Sequence, residues 1–315
     1  MNVMKGVKQI PVTSQAEAEE LHSLQKAIAA TIADSLDICG DKESAVPDLL
    51  FFRRHAPTEP AFCLIAPSIV LVVQGIKRML IGADAYDYDP GSFLITSLDL
   101  PASTQVVQAS TGTPCLGLVL KLDLQIIAEL ISSGAVPHPE TKSGSRGIGL
   151  GTMSLRLLRA IRPLCELHNE PEAMDVLRPG LLTEIHYRLL LSDQAPLLWQ
   201  IVSAGSQSQR VAKAIEWLKL HYAEPLRIED LAARVKMSSS SLHHHFRLLT
   251  SMSPLQYQKW LRLNEAKRLM LNEKADAASA AFRVGYESPS QFSLEYRRFF
   301  GAPPRKDISR YQEIN

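Results

Sequence analysis

The strongest constraint in this chain is a device that occurs twice between residues 225 and 306. The first copy reads PLRIEDLAARVKMSSSSLHHHFRLLTSMSP and the second KADAASAAFRVGYESPSQFSLEYRRFFGAPP. Each holds a short apolar-periodic segment, a turn, and then a serine-started segment rich in polar side chains. Each closes on a small or polar residue a few positions before proline. This is the pattern of a helix-turn-helix, and two of them in tandem are best explained by duplex DNA.

In the first copy Ile228, Leu231, Ala232 and Val235 fall at i, i+3, i+4, i+7 spacing, which predicts one buried helical face. Met237 is expected as a buried turn residue, and Ser238 as an N-cap whose hydroxyl accepts from a free backbone N–H. Leu242, His245, Phe246 and Leu249 then form the inner stripe of a second helix. Ser239, Ser240, His243, His244 and Arg247 are left facing outward. Base edges are assigned to Ser239, Ser240, His243 and His244, and phosphates to Ser238 and Arg247, because the first turns of a reading helix enter the major groove. The plainer alternative is a solvated helix start. The run His243, His244, His245 is not expected to bind metal: successive helical residues point about 100° apart, so three neighbours do not converge on one ion.

In the second copy Ala277, Ala278, Ala281, Phe282 and Val284 are expected on the apolar side of the first helix, with Gly285 at the tight exit. Ser288 caps the next helix and Pro289 opens it. Phe292, Tyr296, Phe299 and Phe300 make the inner stripe. Ser290, Gln291, Ser293 and Leu294 are assigned to bases, and Ser288, Arg297 and Arg298 to phosphates. Between the copies SPLQYQKWLRLNEAKRLMLNEK has helical period, and at about 1.5 Å per residue it bridges roughly one turn of duplex.

Residues from about 208 to 306 resemble the DNA-binding domain of AraC/XylS-type transcription regulators. The resemblance is carried by GYESPSQFS, RRFFGAPP and SPLQYQKWLRLNEAKRLML. It implies promoter DNA as a partner, contact with RNA polymerase, and control by a small-molecule effector. Two positions depart from the family pattern: relatives usually carry arginine where this chain has His244 and Leu294. Arginine is the commonest bidentate reader of guanine, whereas leucine reaches only a thymine methyl. The second unit is therefore expected to read bases weakly and to grip mainly the backbone.

Charge divides the same way. Residues 207–315 carry 18 Lys/Arg and 11 Asp/Glu, whereas residues 1–206 carry 16 and 22. The basic half suits phosphate contact through counterion release. The chain has 315 residues, enough for two domains with full cores. No apolar run reaches the roughly 18 residues of a membrane span, and the first 20 residues hold no secretory signal, so a cytoplasmic protein is expected. Cys39, Cys63, Cys115 and Cys165 show no metal-ligand spacing; buried free thiols are the default, with Cys63–Cys115 as the alternative redox pair.

The first half reads as α+β. Residues 14–38 have helical period, with Leu21, Leu24, Ile28, Ile32 and Leu36 along one side. From 49 to 120, short Val/Ile/Phe/Tyr runs are punctuated by Gly75, Gly82 and Asp89-Pro90-Gly91, which predicts seven or eight strands in a barrel or jelly roll. The runs LVVQGIKRMLIG, YDYDPGSFLITSLDLP and LGLVLKLD resemble the cupin-like N-terminal domain of one AraC subgroup. That resemblance implies an effector inside the barrel, with its binding residues unassigned. Phe62, Leu64, Val70, Val72, Leu94, Ile95 and Leu118 are candidate lining, although plain core is the commoner role. A metal-dependent cupin needs clustered His and carboxylates, and the strand region holds His55 alone of the histidines, so neither metal nor cofactor is expected.

Further along, 121–136 is expected to be helical, and TKSGSRGIGLGT at 141–152 a flexible loop without a phosphate-cradle ending. Helices follow at 154–168 and 174–192. In the resembling family such a pair commonly supports a homodimer; packing on the barrel is the alternative, and Glu184, His186 and Arg188 are expected in a surface network. AGSQSQ at 204–209 is the expected linker. The expected organisation is thus a cupin-like sensor over 1–203 with a helical subdomain at about 153–195, and a DNA-binding domain over 210–315 with helix-turn-helix units at about 228–249 and 275–300. The function expected is a non-enzymatic, effector-controlled transcription regulator. The alternative is a cupin-type enzyme or DNA-modifying protein targeted by its helix-turn-helix units.

Overall fold

The computed structural model describes residues 15–36, 39–139, 146–203 and 205–314, with backbone alone at 310–314. The first half opens with helix α1 (Gln15–Ser35). Nine strands follow: β1 (Gly40–Glu43), β2 (Leu49–Arg54), β3 (Ala61–Ile65), β4 (Ser68–Gln74), β5 (Ile76–Ile81), β6 (Asp84–Tyr88), β7 (Ser92–Thr96), β8 (Leu100–Gln108) and β9 (Cys115–Lys121). Then come α2 (Leu124–Ser132), β10 (Ile148–Thr152), α3 (Leu155–Glu166), α4 (Met174–Leu190) and α5 (Ala195–Val202).

The strands form two antiparallel sheets, one ordered β1-β2-β9-β4-β7-β10 and the other β3-β8-β5-β6. Strand β4, SIVLVVQ, explains how they are covered. Its side chains alternate between faces, yet all but the last are buried. Ile69, Leu71 and Val73 face a core completed by Leu24, Ile28 and Ile32 of α1 and by α3 and α4. Val70 and Val72 face the second sheet, where they share a core with Met79, Tyr88 and Leu100. Because both faces are dry, the run is continuously apolar.

Several expectations require correction. Ile148–Thr152 lies inside the segment expected to be a flexible loop, yet it pairs with β7 from Ile148↔Thr96 to Thr152↔Ser92. Its glycines permit close approach: a Cβ at Gly151 would sit 2.2 Å from the Phe93 ring, and one at Gly149 2.0 Å from Gln194 Oε1. Of the rest of that segment, 141–145 lie outside the described residues. Strands β2 to β9 make eight in the strand-rich stretch, within the seven or eight expected there, and β1 and β10 add to them from either side. His186 is not part of a surface network. It is fully buried: its Nε2 accepts from the Asp123 backbone N–H at 2.9 Å, and its Nδ1 lies 2.7 Å from the Leu182 carbonyl oxygen. Glu184 and Arg188 do pair at the surface, at 3.1 Å. The apolar stripe of α3, including Leu158, Ile161 and Leu164, packs within the chain against α1 and α4.

The second half is helical: α6 (Gln207–Leu220), α7 (Ile228–Arg234), α8 (Ser239–Thr250), α9 (Pro254–Asn272), α10 (Ala277–Arg283), α11 (Pro289–Phe300) and α12 (Pro304–Ile314). Helix α6 starts inside the segment expected as linker, because the Ser206 hydroxyl accepts from Gln209 N and caps it. Residues 207–209 are therefore helical.

The cores do not divide at this linker. Val211, Ile215, Leu231, Leu242, Phe246 and Trp260 belong to one continuous apolar cluster with the inner faces of the two sheets. The α10–α11 unit has its own core, built on Ala280, Ala281, Val284, Phe292 and Tyr296.

Candidate nucleic-acid interface and ligand cavity

The two helix-turn-helix units are built by the same local rules. In the first, Met237 N donates to the Ala232 carbonyl at 2.9 Å across the turn; in the second, Tyr286 N donates to the Ala281 carbonyl at 3.0 Å. Lys236 and Gly285 hold equivalent left-handed positions, at φ 57° and 86°. The second copy then inserts one extra residue, Glu287, before its cap. Ser238 accepts from Ser241 N at 3.2 Å and Ser288 from Gln291 N at 3.4 Å. The reading helices end alike, on left-handed Ser251 and Gly301.

Exposure follows the stripes. On α8, Ser240, His243, His244 and Arg247 are exposed and Ser239 is half-buried, whereas Leu242, Phe246 and Leu249 are buried. His245 is half-buried, as an inner-stripe residue should be, and its partial burial with His244 alongside lowers its pKa. On α11, Ser290, Gln291, Leu294, Arg297 and Arg298 are exposed and Ser293 is half-buried. Two details differ from expectation. Met237 is only half-buried. Ala278 and Phe282 are exposed, Phe282 by 57%, because α10 buries Ala280, Ala281 and Val284 instead. Phe282 lies one residue, about 100°, off that face.

The linking helix does more than span. Its N-terminus carries a capping box between Ser253 and Gln256. From its middle, Arg262 donates to the carbonyls of Tyr222, Ala223 and Glu224 in the α6–α7 turn, at 2.6, 3.2 and 2.9 Å. It also donates to the Gly285 carbonyl in the second unit at 3.1 Å. Gln258 adds bonds to Tyr222 and Glu224. Sequence reading missed this clamp, because Arg262 looks like one more polar residue on an amphipathic helix.

Each reading helix rests its C-terminal end on the first half of the chain. The Leu249 carbonyl accepts from Gly147 N at 3.1 Å, and Ser251 abuts Gly82. Phe299 and Phe300 pack against Phe62 with ring centroids 5.0 and 6.0 Å away, the first tilted and the second edge-on. Lys219 pairs with Asp99 at 2.8 Å, and the Tyr257 hydroxyl donates to the Asp99 carbonyl at 3.0 Å. The N-terminal turns of both reading helices stay open.

Between the sheets lies a cavity of about 550 Å³, within the range of small-molecule sites. Among the candidate lining residues, Leu64 and Val70 border it. Ile95 and Leu118 instead face the helix-covered core, and Phe62 points out to α11. Polar side chains border it too: Cys63, Lys77, Tyr88 and Thr104 on the second sheet, with Asp41, Glu43, Asp48 and Lys121 among those on the other side. Lys77 could have been found by phase, since it alternates with Met79 and Ile81 on an inward-facing strand. Burial pushes the Cys63 and Cys115 thiols up to about 11, with Lys77 working against that in both. Both stay free and largely protonated, which disfavours redox chemistry. Among the described residues no group of three His, Cys, Asp or Glu side chains is arranged to hold a metal, and no helix is long and apolar enough to cross a membrane.

Residues 45–197 match the family model described as the AraC-type transcriptional regulator N-terminus, and residues 231–310 match a helix-turn-helix domain model. The chain belongs to the AraC-type transcriptional regulators. Among curated members of this AraC-type family, it is 27% identical over 150 residues to the transcriptional activator RhaS of Pectobacterium carotovorum, covering 48% of this chain and 52% of that protein. It is 30% identical over 103 residues to the transcriptional regulator ArgR of Pseudomonas aeruginosa, covering 33% and 31%. The chain thus spans about half or less of the length of these relatives. Among solved structures, ToxT from Vibrio cholerae, bound to an unsaturated fatty acid, matches with a TM-score of 0.53 at 11% identity, over 85% of this chain and 96% of that one. That likeness is one of fold, and the AraC-type chain shares with it a β-sheet N-terminal domain followed by a helical C-terminal domain.

Proposed function

We propose that this AraC-type chain is a sequence-specific transcription regulator that grips promoter DNA with α8 and α11 and is controlled by a small molecule held between the two sheets. The observation that carries the reading is the pair of capped helices with exposed N-terminal polar faces, set in a half of the chain with net charge +7. Ser239, Ser240, His243 and His244 on α8, and Ser290, Gln291, Ser293 and Leu294 on α11, are the base-facing set. Ser238, Arg247, Ser288, Arg297 and Arg298 meet phosphate. RNA polymerase is the further partner, and the protein works in the cytoplasm. The exposed Val176 and Leu177 at the start of α4 are the residues offered for a homodimer, since the α3 stripe is occupied.

Control follows from the packing. The first unit shares its core with the sheets, and both reading helices rest on them. An effector that binds one sheet arrangement better than another therefore shifts how the helices are presented. Occupation of ToxT by a fatty acid supports a small-molecule effector at the cavity here.

The test is genome-wide mapping of bound promoter fragments, followed by gel-shift titration of those fragments across salt. The expected result is specific binding whose logarithmic affinity falls linearly with the logarithm of salt concentration. Absence of any promoter preference over random duplex overturns the reading.

A further inference from the structure

The effector cavity contains a charge that the fold leaves unanswered. Lys77 on β5 sits directly opposite Tyr88 on β6, and cross-strand neighbours share one face of a sheet. That face is the cavity wall. Among the described residues the Lys77 ammonium has no hydrogen bond or ion pair; it lies 3.9 Å above the Phe52 ring. The Tyr88 hydroxyl is buried without a hydrogen-bond partner. Burial lowers the Lys77 pKa, with Asp41 and the Cys115 and Cys63 thiols opposing in part, and burial raises that of Tyr88.

Other charges at the cavity are mostly paired. Asp41 bonds Arg54 at 2.8 Å, and Asp48 lies 3.3 Å from Lys121 and 3.4 Å from Arg178. Glu43 is exposed at the rim. The remaining wall is mainly apolar, with Leu64, Ile65, Val70, Met79 and Val119 beside Phe52. A half-buried cation whose only close partner is an aromatic face and an orphan buried hydroxyl are both costly, and a bound anion lowers both costs.

We infer that the cavity takes a monocarboxylic acid with an apolar body, its carboxylate accepting from the Lys77 ammonium and the Tyr88 hydroxyl while the body lies along Phe52, Leu64 and Val70. The donor count favours this class. One cation and one hydroxyl satisfy a singly charged, two-oxygen head group, whereas a phosphate ester brings more charge and more oxygens than these two donors answer. The inference rests on the reading of the cavity as an effector site and adds the head-group chemistry and the residues that recognise it.

The experiment measures binding to the full-length protein by titration calorimetry and thermal shift. The probes are octanoate, dodecanoate, hexadecanoate and 4-phenylbutyrate, each beside the primary alcohol of the same skeleton. At least one acid is expected to bind about tenfold or more tightly than its alcohol. Lys77→Met, which keeps length and removes charge, abolishes that preference and leaves alcohol binding unchanged. Tyr88→Phe, which keeps the ring, weakens the acid roughly three- to tenfold. Equal binding of acid and alcohol by the wild-type protein, binding of none of the acids, or full acid affinity in Lys77→Met overturns the assignment. The wild-type comparison stands even if a variant folds poorly. Promoter binding is measured separately: DNA affinity unmoved by a bound acid overturns the control mechanism and leaves the site intact, whereas intact promoter binding without acid binding overturns the site alone.

Discussion

Arg262 of the linking helix donates to the Gly285 carbonyl at 3.1 Å while its other donors hold the turn before α7. One guanidinium thus ties both helix-turn-helix units to the helix between them. Its planar fork fixes direction as well as distance, which a lysine does not reproduce. Arg262→Met is expected to lower stability by about 2–3 kcal/mol, because several part-buried carbonyls lose a charged donor. It is also expected to weaken binding to a full operator more than to an isolated half-site. Urea unfolding beside gel shifts on both duplexes measures this, and equal loss on the two duplexes refutes the alignment role.

Gly285 is required by proximity more than by its dihedral. A Cβ there would lie 2.0 Å from the Ala223 carbonyl oxygen. The equivalent Lys236 adopts φ 57° with an ordinary side chain. Gly285→Ala is therefore expected to cost about 2–4 kcal/mol, whereas Lys236→Gly is expected to be neutral or to stabilise by up to about 1 kcal/mol. Thermal or urea unfolding of the two variants gives the comparison.

Leu294 is 67% exposed on the outer side of α11, the side proposed to meet bases. Leu294→Arg is expected to create a guanine preference of about 1–3 kcal/mol at the base it meets. Arg297→Ala instead weakens all sequences alike and reduces the salt slope by about one. Affinities on operator variants separate the two effects. An unchanged preference in Leu294→Arg overturns the reading that the second unit reads bases weakly and grips mainly the backbone.

His186 supplies a pH dependence. Burial lowers its pKa, with the Leu182 hydrogen bond and Asp123 opposing in part. The unfolded chain therefore takes up a proton near its ordinary value of about 6.5, where the fold still holds a neutral ring. Stability from this site is present above that value and lost as pH falls below it; the lowered His168 and His245 act in the same direction. Unfolding free energy is expected to drop between about pH 7.5 and 5.5. His186→Gln should shrink that drop, and an identical pH profile in the variant assigns it elsewhere.

What local pattern carries was readable from the chain. Ser238 and Ser288 cap where a hydroxyl precedes free N–H groups, and Leu242, Phe246, Phe292 and Tyr296 are buried because helical period is a property of neighbours in sequence. The outward set followed by subtraction. The β10 strand was not readable, since Gly149 and Gly151 serve Gln194 and Phe93, contacts that only the folded chain supplies. His186 was misread for the same reason: its partner, the Asp123 amide, is 63 residues away.

The sequence by itself determined two helix-turn-helix units, a strand-rich first half and a basic second half, because periodicity, caps and charge need no knowledge of distant neighbours. Tertiary structure alone decided that both reading helices rest on the sheets, that Arg262 aligns the two units, and that Lys77 and Tyr88 meet in a cavity. Each of these depends on which distant surfaces exclude water together, and burial of that kind is a property of the whole fold.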